Sequence, residues 1–346
     1  MADKLSALVV CPGRGTYGKA ELGYLKRFHA NKGTLIGAFD RLRSERGQPT
    51  ISELDGADRF SVPIHTRGDI ASPLIFAASY ADFLAIDRSR YEVGAVTGNS
   101  MGWYTTLACA GAVDAEHGFR IVDAMGENSQ AGAPGGQVLL TLVDEEWRAV
   151  PGLREQALGL VHQIGARPGH SLHPSIDLGG MLVVAGDEAG LEALLKEAPS
   201  TPARDPLRLV NHGPFHTPLM KGSSERAFEL PAEWIHPPAI PMIDGRGHIW
   251  RPLASQPNAL REYTFGNQIL QPYDFTSAIQ VAVREHAPDQ IILLGPGDTL
   301  GGAIAQALIA IEWRGLRSKR DFQEMQKSSP FLLAMGREEQ RALVTG

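Results

Sequence analysis

Two short apolar runs, each closed by a glycine-rich turn, constrain what this chain can fold into more than any other feature. Residues 6–11 (SALVVC) stop at Pro12-Gly13, and residues 92–97 (EVGAVT) stop at Gly98-Asn99-Ser100-Met101-Gly102. Neither run alternates apolar with polar residues, so neither suits a sheet with one wet face. Both read as strands covered on two sides, the condition of a parallel sheet packed between helices. Helical spacing follows each run. Leu22, Leu25 and Phe28 share one side of 20–29, a helix over 73–86 puts Pro73 in its first turn, and a helical stretch leads on from Gly102 to Ala110. Proline suits a first turn because its missing amide would have no intrahelical partner there. The alternation predicts an α/β fold with a mostly parallel sheet and helices on both faces.

The character changes at residues 131–136 (AGAPGG). Strands are expected over 137–143, 175–178, 181–185 and 207–210, with helices over 153–160 and 188–197. That β-α-β-β-α-β order is the signature of a ferredoxin-like unit. Residues 134–210 are therefore expected as a small domain inserted into a larger core made of 1–133 and 211–313. The core resumes late with a strand over 289–294, ended by Gly295-Pro296-Gly297. From Arg314 to residue 346 the chain is charged and mixed, and is expected as a helical tail. A length of 346 residues accommodates such an arrangement, and no internal repeat is visible.

Lys plus Arg total 33 against 39 Asp plus Glu, a formal charge of −6, which argues against a nucleic-acid binder. The 2 cysteines, Cys11 and Cys109, cannot form a disulfide framework, so a reducing, cytoplasmic setting is expected. No apolar run is long enough to cross a bilayer, and the first residues do not read as a signal peptide.

Two motifs could carry chemistry. Gly13-Arg14-Gly15-Thr16-Tyr17-Gly18 matches G-x-G-x-x-G, with Asp40 beyond it for a ribose contact, as a dinucleotide site requires. Gly98-Asn99-Ser100-Met101-Gly102 matches G-x-S-x-G between a strand and a helix. There a sharp turn presents the serine outward, and the amide after it points at an oxyanion. A serine hydroxyl is barely ionised at neutral pH and needs a base. Among the 11 histidines, His170 and His173 lie close in sequence but lack further clustered ligands for a metal. His216 stands apart, in the loop Gly213-Pro214-Phe215-His216-Thr217-Pro218-Leu219-Met220 directly after the inserted unit.

Taken in order, these segments resemble the malonyl-CoA:acyl carrier protein transacylases and the acyltransferase domains of fatty-acid and polyketide synthases. Cys11-Pro12-Gly13-Arg14-Gly15 resembles the family's PGQG loop, and Gly98 to Gly102 its GHSLG elbow. Ala108-Cys109-Ala110-Gly111-Ala112 resembles the stretch after the elbow helix, and Phe215 to Met220 the histidine loop. Gln268-Ile269-Leu270-Gln271-Pro272 and Leu294-Gly295-Pro296-Gly297 resemble its C-terminal blocks. The resemblance implies an α/β-hydrolase-like core with a ferredoxin-like insert, and turns Gly13 to Gly18 from a nucleotide cradle into an oxyanion loop. It implies Ser100 as nucleophile, His216 as general base, the backbone amides of Arg14 and Met101 as oxyanion hole, and the main-chain carbonyl of Gln268 as the group orienting the histidine. It implies no permanently bound cofactor. A coenzyme A thioester and the phosphopantetheine of an acyl carrier protein would be the substrates, with neither nucleic acid nor membrane as partner.

The acyl pocket departs from the family. Met125 stands where the family carries its malonyl-binding arginine, on the helix after the elbow; Asn99 replaces a histidine, Trp103 a glutamate, Ser72 a glutamine and Arg14 a glutamine. Methionine offers no charge and no donor to a carboxylate. Arg120, nearby in sequence, should face elsewhere on that helix. Two outcomes stay open: an uncharged acyl group such as acetyl or a longer one, or malonyl held by another cation, for which Arg14 is the candidate. Phe215 resembles the malonyl type of loop. An acyl-carrier-protein thioester hydrolase using the same residues, and a non-catalytic carrier-docking subunit, are the competing readings. Lys221 and Arg226 are expected on a basic face toward the acidic carrier.

Overall fold

The computed structural model describes residues 4–130, 134–198 and 205–346. They form a mixed α/β structure with two sheets. Strands β1 (Leu5–Cys11), β2 (Tyr91–Gly98), β7 (Met242–Ile243), β8 (Ile249–Trp250), β10 (Gln290–Leu293) and β11 (Leu332–Ala334) make the larger sheet, in the order β11-β10-β1-β2-β7-β8. All its pairings are parallel except the β7/β8 hairpin. Ala7 to Cys11 at its centre are buried, as a strand sandwiched between helices requires.

The second sheet has the order β6-β3-β5-β4-β9, built from β3 (Gly136–Thr141), β4 (Leu172–Leu178), β5 (Met181–Gly186), β6 (Leu207–Arg208) and β9 (Tyr273–Asp274). Successive side chains on a strand face opposite ways, and each face here has its own partner. Val138, Leu140, Leu182 and Val184 pack with Ala157, Val161, Ile164, Leu191 and Leu194 of the helices Leu153–Gly165 and Glu188–Glu197. Leu139, Ile176 and Val183 belong instead to the main core. Strand β9 comes from the far part of the chain and pairs parallel with β4 at the edge of this sheet.

Several elements differ from expectation. The helix foreseen over 73–86 runs Gly68–Phe83 and carries Pro73 in its interior. Proline there leaves the carbonyl four residues earlier without its amide, and Arg43 Nη1 donates to that Asp69 carbonyl at 3.1 Å. The first helix is only Tyr24–Phe28, so turns rather than a helix N-terminus follow the Gly13–Gly18 loop. Asp40 receives the backbone amide and hydroxyl of Ser52 at 3.0 and 2.5 Å and so anchors a helix start. Both findings count against a dinucleotide site. The composition change at 131–136 falls partly on residues 131–133, outside the described residues.

The segment from Arg314 is helical in part, but it is no appendage. Its strand β11 forms the sheet edge, and its helix Glu338–Val344 inserts Arg341 into the core. Arg341 Nη1 and His29 Nε2 meet Asp82 Oδ1 at 2.6 and 2.7 Å, while Tyr24 Oη and the Gly295 amide donate to Oδ2 at 2.8 and 2.7 Å. One buried carboxylate thus ties four distant segments. Removing one partner of such a pair leaves an uncompensated charge, so Arg341→Met is expected to destabilise the fold by about 3–5 kcal/mol. A urea unfolding midpoint close to that of the parent chain would contradict this.

Candidate active site

The site is built by close backbone approach. The Asn99 amide donates to the Cys11 carbonyl at 3.1 Å, holding the turn after β2 against the end of β1. A Cβ on Gly102 would collide with the Cys11 carbonyl, one on Gly98 with the Gly102 carbonyl, and one on Gly13 with the Asn99 carbonyl. Only glycine at all three positions lets these segments meet. The serine between them has φ 55°, a left-handed conformation that costs a non-glycine residue roughly 1–3 kcal/mol. This lifts Ser100 to the start of the helix Gly102–Cys109 with its hydroxyl outward.

Ser100 Oγ lies 2.7 Å from His216 Nε2. His216 Nδ1 lies 2.6 Å from the Gln268 carbonyl, which can only accept. Nδ1 therefore carries the proton, and Nε2 offers its lone pair to the serine hydroxyl. Gln268 is fixed in turn: its Nε2 donates to the Ser100 carbonyl at 3.1 Å, and its Oε1 accepts from Tyr104 Oη at 3.0 Å. It directly follows a π-helical turn, Tyr263–Asn267, which Trp103 Nε1 clamps through Thr264 Oγ1 at 3.0 Å. Tyr273 Oη donates to the Gly98 carbonyl at 2.6 Å, so β9 braces the turn from the other side. Among the described residues, the amides of Arg14 and Met101 donate to no protein acceptor.

Two spaces meet at Ser100. A narrow cavity of about 60 Å³ is lined by Ser72, Tyr104, Met125, Phe215 and Met220, among others. A wider cleft of about 310 Å³ runs between the sheets, past Leu139, Ile176, Val183, Leu300 and Ala303. Arg14, Ser100 and Phe215 line both.

No protein-family model matches the chain. Curated relatives do. The malonyl CoA-acyl carrier protein transacylase of Bacillus subtilis (strain 168) is 25% identical over 236 residues, 68% of this chain and 71% of that protein. The crystal structure of malonyl-CoA:acyl carrier protein transacylase from Xanthomonas oryzae pv. oryzae superposes with a TM-score of 0.76 at 20% identity, covering 99% of this chain and 98% of that one. A malonyl-transacylase solved in complex with a type II polyketide synthase acyl-carrier protein superposes with a TM-score of 0.73 at 18% identity, over 99% of both chains. This chain is similar to the malonyl-CoA:acyl carrier protein transacylases.

Against that family's pattern, the structure brings Ser100, His216, Gln268, Met101 and Arg14 together. Ser72, Met125 and Phe215 line the narrow cavity. Asn99 does not; it faces the cleft, with its Oδ1 buried and unbonded. Arg226 is half-buried, its Nε donating to Asn128 Oδ1 at 2.9 Å, and Lys221 is exposed beside Glu225. His170 and His173 bond to the Pro168 carbonyl and Ser171 Oγ, and no metal-binding cluster occurs among the described residues. Tyr104 and Met220 went unforeseen, although each lies four residues beyond a candidate, Ser100 or His216. No local signal marks Thr66 and Asn211, whose carbonyls hold Arg14.

Burial pushes the His216 imidazole from 6.5 down to about 4, with its bond to the Gln268 carbonyl pulling the other way. The unfolded chain would bind this proton near 6.5, so the residue makes stability fall as pH drops through that window. In the folded state Nε2 stays unprotonated throughout it. Sulfonyl fluoride modification of Ser100 is therefore expected to keep its rate as pH is lowered through 6.5 and to lose it only near 4. A rate midpoint at the ordinary imidazole value would contradict this.

Proposed function

We propose that this chain is an S-acyltransferase that moves an acyl group from coenzyme A to an acyl carrier protein through an acyl-Ser100 intermediate. The observation that carries the reading is the relay from Ser100 Oγ through His216 to the Gln268 carbonyl, placed where a small cavity opens into a long cleft. As Oγ attacks the thioester carbonyl, His216 Nε2 takes the hydroxyl proton. The tetrahedral oxyanion accepts from the amides of Met101 and Arg14, positioned beforehand by the turn. The C–S bond then breaks, and the proton passes from Nε2 to the departing thiolate. In the second half the carrier's pantetheine thiol gives its proton to His216 and attacks the acyl-serine, and Ser100 leaves with the proton. No permanently bound cofactor enters either half.

A main-chain carbonyl fixes the tautomer as an aspartate would, but adds no full charge. The low imidazole pKa fits such a site. The family's named substrates, and the relative solved with its carrier protein, support coenzyme A and an acyl carrier protein as partners. The strand order β6-β3-β5-β4 supports 134–210 as a ferredoxin-like insert in an α/β-hydrolase-like core, to which β11 also belongs. Two unpaired buried thiols, Cys11 and Cys109, fit a reducing, cytoplasmic setting, and no helix among the described residues is long and apolar enough to cross a membrane.

Ser100→Ala is expected to abolish both the covalent acyl adduct seen by intact mass and loading of a holo-acyl carrier protein. His216→Ala should slow loading by about 10²–10⁴-fold. Undiminished loading in Ser100→Ala would end the reading, and free acid in place of a new thioester would make the protein a hydrolase.

A further inference from the structure

Arg14 is mounted at the junction of the cavity and the cleft, with its charge unanswered. Its Nη2 donates to the carbonyls of Thr66 and Asn211 at 3.0 and 2.6 Å. Asn211 Nδ2 also donates to Thr66 Oγ1 at 2.6 Å, which stiffens the mount. The guanidinium lies 5.4 Å from the centre of the Phe215 ring, beside the serine-histidine pair. Its Nε and Nη1 are shut off from solvent and bonded to nothing, and no carboxylate among the described residues pairs with it. The acid that influences it most, Asp69, is engaged by Arg67 at 2.7 and 3.0 Å. Burial lowers the guanidinium from 12.5 to about 10, so it stays charged at neutral pH.

A buried cation with unused N–H groups is costly unless something accepts from them. Neutral carbonyls meet only one of its three nitrogens. Among the described residues no other cation lines the narrow cavity, where Met125 Sδ offers at most a weak contact to Asn128 Nδ2 at 3.9 Å. Its volume of about 60 Å³ is small, which suits a short acyl chain.

We infer that Arg14 is the specificity-determining residue of the acyl site, its free N–H groups binding the terminal carboxylate of a short dicarboxylic acyl group such as malonyl. The inference rests on the acyl-transfer reading and moves carboxylate recognition from the helix wall at Met125 to the loop that supplies an oxyanion amide. One residue then serves twice: its backbone toward the developing oxyanion, its side chain toward the far end of the substrate. An uncharged acyl group leaves the Arg14 donors unpaired, and a site built for a polar partner rejects the analogue that lacks it.

The test is a competition. The full chain is incubated with equal malonyl-CoA and acetyl-CoA, quenched, and the Ser100 adducts are read by intact mass. The parent chain should carry mostly malonyl. Arg14→Gln should lower the malonyl-to-acetyl ratio by about tenfold or more, because one partner of a buried charge pair is gone. Arg14→Lys should lie between, and Met125→Arg added to Arg14→Gln should restore the preference from the other wall. Both adducts form on the same folded molecules, so a partly unfolded variant leaves the ratio intact. A parent chain that prefers acetyl, or a ratio unmoved by Arg14→Gln, overturns the inference while leaving acyl transfer standing. Equal slowing with both thioesters also overturns it and makes Arg14 a general oxyanion aid. No adduct from either thioester overturns the acyl-transfer reading, and this inference with it.

Discussion

The structure depends on one close approach, the packing of the turn after β2 against the end of β1. Gly13, Gly98 and Gly102 have no side chain because the backbone of a neighbouring segment occupies the space where a Cβ would sit. The Asn99 amide bonded to the Cys11 carbonyl locks the contact. From it follow the left-handed serine, the helix beginning beneath it, and a loop running past the same point with the Arg14 amide unbonded. Strain at Ser100 is held because the central strands around it are buried and paired on both sides. A less crowded sheet would let that residue relax.

Around this contact, buried polar groups join parts of the chain that sequence keeps far apart. Gln268 reaches Ser100, Tyr104 and His216 at once, so the orientation of the base and the shape of the turn are set together. Asp82 does the same structurally for His29, Arg341, Tyr24 and Gly295. The smaller sheet reports to the site through Gln137 Nε2, which donates to Ser175 Oγ, which in turn donates to the Phe215 carbonyl, at 2.8 Å in each case. Phe215, the residue before His216, is therefore held by the smaller sheet as well as by the main core it packs against.

Charge is distributed in an unusual way. The helix wall that could hold a cation presents Met125, while the loop below the serine presents a buried guanidinium. His216 is a deeply buried imidazole, its pKa lowered, whose Nδ1 faces a main-chain carbonyl. Beside Ser100 the amides of Arg14 and Met101 bond to no protein acceptor among the described residues.

The strand-turn-helix segments, the serine, and the histidine in its Phe-His-Thr-Pro loop were legible in the sequence because they are local. Uninterrupted apolar runs, flanking glycines and short motifs act within a few residues, and the same locality made the small unit's strand and helix order readable. Pro73 misled, because whether a helix can hold an interior proline depended on Arg43, a residue on another helix that satisfies the carbonyl it leaves bare. The C-terminal segment misled likewise, since its charged composition conceals a three-residue edge strand and an arginine whose partner lies far back in the chain. What the sequence determined by itself is which chemistry is present: a serine on a strained turn, a histidine, and an arginine where the family has glutamine. Only the tertiary structure decided where the Arg14 charge sits, because a cation is defined by its surroundings, and it took Thr66, Asn211 and Phe215, brought together from separate segments, to hold it near Ser100 with donors to spare.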